Sequence, residues 1–106
     1  MRERDAGWIR HRSEVDPALL IQHPAVVLRV AAPRRWVVIH GTSTERNERR
    51  EIVENGSADD VFDLTGPTFF YRRGILIVTD PVRFSRRGEC PPDLFLALRE
   101  LAGVSR

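Results

Sequence analysis

Three kinds of side chain in this sequence can do chemistry. His11, His23 and His40 are its three histidines, and an imidazole titrates close enough to neutrality to serve as acid or base. Gly41-Thr42-Ser43 offers two hydroxyls that can donate to an anionic oxygen, or can simply satisfy their own turn. Residues 72–87 carry five arginines (Arg72, Arg73, Arg83, Arg86, Arg87) against Asp80, a net of +4. Guanidinium forks grip phosphate in pairs of hydrogen bonds. Residues 45–63 hold seven acids against three arginines, a net of −4. The pair reads as two solvated faces, or as a polyanion-binding surface screened by an acidic one. Tyr71, beside Arg72 and Arg73, is the aromatic ring expected to be exposed for base stacking. Trp8, Trp36, Phe69 and Phe70 are expected in the core.

Other residues read as structural. His11 lies between two arginines and is expected at the surface, and His40 closes an apolar strand. A zinc site from His11, His23 and His40 would need a fourth ligand, and their spacing matches no ligand motif. No metal and no cofactor are therefore expected. Cys90 precedes Pro91 and Pro92 at a helix start, where a thiol pKa can fall. No base is paired with it in sequence, so it is read as a cap.

The elements that position these groups are short. Gly7 to Arg12 can be a strand with Trp8 or Ile9 turned inward, and residues 1–6 are expected to fray. Ser13 to Pro24 reads as a loop, with one turn around Ala18 to Ile21. Ala25 to Ala31 and Trp36 to His40 form a hairpin across Pro33-Arg34-Arg35. Residues 45–54 could be a helical turn or a solvated strand, Asn55-Gly56-Ser57 a turn, and 58–66 irregular. Phe69 to Tyr71 and Ile75 to Thr79 are strands separated by a break, and Val82 to Arg87 is a basic connection. The helix is the clearest element, over about 92–102. Leu94, Phe95, Leu98, Leu101 and Ala102 share one face, and Gly103 caps it.

At 106 residues the chain is expected to be one domain, 1–106, with a single core. Five to six short strands with Gly/Pro turns and one terminal amphipathic helix predict a mainly β, partly open barrel. All 17 basic residues are arginine, through GC-rich coding, phosphate recognition or both. A net charge of +2 says little about partners. One cysteine excludes an internal disulfide and fits a reducing cytoplasm. No apolar run reaches spanning length, so no membrane partner is expected.

His23-Pro24 leads into the apolar strand Ala25-Val26-Val27-Leu28. Val37-Val38-Ile39-His40 runs into the Gly41-Thr42-Ser43 loop. Arg86-Arg87-Gly88-Glu89-Cys90-Pro91 leads into the last helix. In this order the elements resemble the MazF/PemK toxin family, loosely over Gly7 to Leu101. The resemblance implies a small SH3-like barrel, a homodimer, and an endoribonuclease that cuts single-stranded RNA without metal and is neutralised by an antitoxin protein. It implies catalytic roles for Thr42 and Ser43, and for His23 where the family carries an arginine before the proline. Arg72, Arg73, Arg86 and Arg87 would then bind RNA phosphates. The alternative is a catalytically inactive barrel that binds protein or nucleic acid.

Overall fold

Antiparallel pairing of the apolar strands builds the molecule. The computed structural model describes residues 1–12, 16, 18–45, 50–54, 62 and 66–104. The strands are β1 (Asp5–Arg12), β2 (Leu20–Ala32), β3 (Arg35–Thr42), β4 (Ile52–Glu54), β5 (Thr68–Val78) and β6 (Phe84–Glu89), followed by helix α1 (Pro92–Ala102). They form one sheet in the order β4-β5-β3-β2-β1-β6. It curls into a half-barrel, the mainly β architecture expected. Expectations for residues 13–15, 17, 46–49, 55–61, 63–65, 105 and 106 lie outside the described residues, and with them most of the acidic segment.

Alternation along the strands splits the apolar side chains into two cores. Ala6, Val26, Leu28, Ile39 and Phe70 face one way and pack with Phe62, Cys90 and the helix residues Leu94, Phe95, Leu98 and Leu101. Ile9, Ala25, Val27, Trp36, Val38, Val78 and Phe84 face the other way as a second cluster. The helix docks by the face its periodicity predicted. Gly103 ends it at φ 70°, and Val104 N–H donates to the Arg99 carbonyl at 3.0 Å, a Schellman-type stop.

Several local expectations are corrected. Residues 1–6 are tied down rather than frayed. The Trp36 indole donates to the Met1 carbonyl at 3.2 Å, and Arg4 N–H donates to the Val27 carbonyl at 2.9 Å. The Arg4 guanidinium donates to the Cys90 carbonyl at 3.0 and 3.2 Å. The expected loop before Pro24 is strand from Leu20 onward. A residue preceding proline favours extended backbone, which a strand provides as readily as a loop. The break expected at 72–74 is a bulge inside one strand: Ile39 pairs with Ile75, but Gly41 pairs with Phe70. The basic connection is a 3₁₀ turn, Pro81–Arg83, and then the edge strand β6. Its exposed charges, which looked like a linker, are what edge strands carry.

β6 reaches the sheet through a close approach at Gly7. A Cβ there would sit 2.0 Å from the Ser85 carbonyl oxygen, at the register shift between β1 and β6. Gly7→Ala must push that strand away. Urea unfolding should show a loss of about 3 kcal/mol, the upper range for overpacking; a variant as stable as the parent would contradict the packing.

Candidate functional site

Register brings the three histidines together. Ile9 pairs with His23, and Ala25 pairs with His40. Paired residues of antiparallel strands share a face, as do residues two apart along one strand. Since Ile9 and Ala25 belong to the second core, His11, His23 and His40 continue its face across β1, β2 and β3. The ring centres lie 4.9 Å (His11–His23), 4.5 Å (His11–His40) and 5.1 Å (His23–His40) apart. His11 is only 8% exposed, and the other two are half-buried.

The hydrogen bonds order the rings. His11 Nδ1 lies 3.2 Å from the Arg12 carbonyl, an acceptor only, so Nδ1–H donates there. With His11 neutral, its Nε2 accepts from the Nδ1–H of His23, 2.7 Å away. This arrangement puts the remaining lone pair of His23 on its Nε2. Behind His40 the β5 bulge closes in: a Cβ on Gly74 would stand 2.4 Å from the His40 carbonyl oxygen. Glycine at 74 thus lets two backbones touch beneath the cluster.

Two cavities flank the rings. His23, Pro24, Thr42, Ser43, Trp8, Gln22, Gly66 and Pro67 line one of about 380 Å³. Of the residues read as catalytic, His23, Thr42 and Ser43 therefore share one wall. The Thr44 N–H donates to Thr42 Oγ1 at 3.3 Å, and the Tyr71 hydroxyl donates to the Thr44 carbonyl at 3.0 Å. Tyr71 is 5% exposed. The expected stacking ring is instead a buried brace for the hydroxyl loop.

The arginines disperse. Arg87 lines a neighbouring cavity of about 350 Å³ that shares Trp8 and Gln22 with the first. Arg86 reaches Asp5 instead, Nε to Oδ1 at 2.8 Å, with the Asp5 side chain 7% exposed. That ion pair ties β6 to β1, so Arg86 already serves the fold. Arg72 and Arg73 are exposed on the β5 bulge and are not among the described residues lining the His23 cavity. The second cavity, about 600 Å³, lies beside His11, between Arg10, Arg12, Leu20, Leu76, Asp80, Val82 and Arg83.

Sequence reasoning passed over His11 and His40. Alternation held the signal for His11: once Ile9 faces inward, His11 does too. One nitrogen from each ring falls within 4.8 Å of the others. Spacing along the chain gave no hint because the rings come from three neighbouring strands. No protein-family model and no curated protein matches the sequence. Among the described residues, no helix is long and apolar enough to cross a membrane.

Cys90 lies in the core under the helix, and burial raises its pKa from 9.0 to about 12; Arg4 lowers it and Glu54 raises it by smaller amounts. The helix N-terminus does not activate this thiol. The upward shift contributes stability that is full below pH 9 and is lost as pH rises from 9 towards 12. At pH 8 the native thiol should react with iodoacetamide about a thousandfold more slowly than the urea-unfolded chain. Equal rates would contradict the burial.

Proposed function

We propose that the chain is a MazF/PemK-like endoribonuclease that cuts single-stranded RNA without metal. The observation that carries this reading is the shared wall of His23, Thr42 and Ser43. Cleavage through the ribose needs a base for the 2′-hydroxyl, an acid for the leaving 5′-oxygen and donors for the charge gathering on phosphate. His23 Nε2 takes the 2′-hydroxyl proton. His11 holds the ring by accepting from its Nδ1 at 2.7 Å and is a positioning residue. The imidazole cluster, once protonated, supplies the acid. Thr42 and Ser43 donate to the phosphate oxygens. Arg87, in the adjoining cavity, holds the next phosphate along the strand.

The partners follow the same reading: single-stranded RNA, a second copy of the chain, and an antitoxin. Leu20 and Val82 are exposed beside Arg10 and Arg12 at the cavity near His11. That mixture of apolar and basic surface suits an acidic, apolar antitoxin segment. The cytoplasm is the compartment where such a toxin would act.

His23→Ala should lower the cleavage rate on a single-stranded RNA by about 10²–10⁴, the range for a lost acid–base group. Arg87→Ala should weaken RNA binding. Unchanged turnover in His23→Ala would overturn the assignment. RNA that binds but is never cut, with affinity falling steeply in salt, would identify a non-catalytic binding module instead.

A further inference from the structure

We propose that His11, His23 and His40 form a binding site for a divalent transition metal, and that Zn²⁺ is the ion it suits best. The site stands on the three rings alone and does not depend on the nuclease reading. Three imidazoles from three adjacent strands offer one nitrogen each, all within 4.8 Å of one another. A tetrahedral zinc with bonds of about 2.0–2.1 Å holds its nitrogens about 3.3 Å apart. The present separations bracket that value: 2.7 Å between His11 Nε2 and His23 Nδ1, and at most 4.8 Å across the set. Modest ring rotations bring the three onto one ion.

The surroundings of His11 are those of a prepared ligand. Its Nδ1–H donates to the Arg12 carbonyl at 3.2 Å, which fixes the ring and directs Nε2 at the cluster. Metal-bound histidines commonly use their second nitrogen in this way. The His11–His23 hydrogen bond is the contact an ion replaces. On binding through Nδ1, the His23 proton moves to Nε2, so neutral imidazole is conserved and no net proton is released by that ring.

The donor set chooses the metal. Three neutral nitrogens, with no carboxylate in the group, exclude Ca²⁺ and Mg²⁺ as good occupants and favour Zn²⁺, Co²⁺, Ni²⁺ or Cu²⁺. Cys90 cannot join, because it is packed in the first core with Val26 and Ile39, whereas the histidines continue the opposite face. The fourth position is left for water or another small ligand, as in open three-histidine zinc centres. Arg10 and Arg12 beside His11 are exposed; their charges oppose the ion, but water and salt screen them.

Occupation has a consequence for His23. With zinc on the cluster, its Nδ1 no longer donates to His11, and its Nε2 carries a proton and cannot act as the base described above. Bound zinc would then silence cleavage; this consequence, unlike the site itself, rests on the nuclease reading.

The test uses the intact chain, stripped of metal by a chelator and titrated with Co²⁺ and then Zn²⁺. One equivalent of Co²⁺ should produce visible d–d absorption of a four-coordinate ion, and one equivalent of Zn²⁺ should abolish it. His23→Asn and His40→Asn, with circular dichroism confirming the fold, should each weaken Co²⁺ binding by more than about 100-fold, the upper cost of losing an outer-shell partner alone. His11→Asn is the least secure variant to fold, and the other two carry the test without it. Absence of one-to-one binding would overturn the proposal, as would binding unchanged in both variants. Zinc binding in a protein that cuts no RNA would leave the site standing and remove only the nuclease reading.

Discussion

The pairing register of β1, β2 and β3 is the constraint on which the rest depends. Seven consecutive pairs, from Ala6–Val26 to Arg12–Leu20, lock β1 to β2. Ala25–His40, Val26–Ile39 and Val27–Val38 lock β2 to β3. A slip of one residue would exchange the two faces of a strand. It would turn Val26 and Leu28 out of the helix-covered core and carry His23 away from His11. The apolar residues that enforce the register therefore also place the imidazoles. Stability and chemistry share one set of backbone hydrogen bonds, and the histidines occupy the end of a hydrophobic face rather than a loop of their own.

Around that frame the chain bends where side chains are smallest. Gly7 lets β6 close on β1, and Gly74 lets the β5 bulge rest against the backbone of His40. The N-terminal residues close the second core, with Met1 packed against it and Asp5 held between the Arg2 N–H at 2.7 Å and Arg86. Tyr71 fastens the hydroxyl loop from below. Apart from the local Arg2–Asp5 bond, these contacts join residues far apart in sequence.

This explains what could be read from the sequence. The helix was legible because its 3.6-residue period, its prolines and its glycine agree. The β2–β3 hairpin was legible because two apolar runs flank a proline turn. β6 was not, because Ser85, Arg86 and Arg87 are polar and exposed and only Phe84 is buried. The Thr42-Ser43 loop and His23 were singled out together, and they do share a cavity wall. Tyr71 misled, since an aromatic beside two arginines looks exposed until a bulge turns it inward. The histidine cluster was invisible as a motif, because its geometry belongs to strand register and not to spacing.

The central claim is that three imidazoles form one cluster on the sheet, with His11 and His23 hydrogen-bonded and His40 packed against both. The most direct measurement is the long-range ¹H–¹⁵N correlation spectrum of the histidine side chains, with inter-ring nuclear Overhauser effects, on the metal-free protein. The account predicts His11 and His23 each protonated on Nδ1, with cross-peaks linking His11, His23 and His40. Three independent rings with averaged tautomers and no inter-ring contact would contradict it.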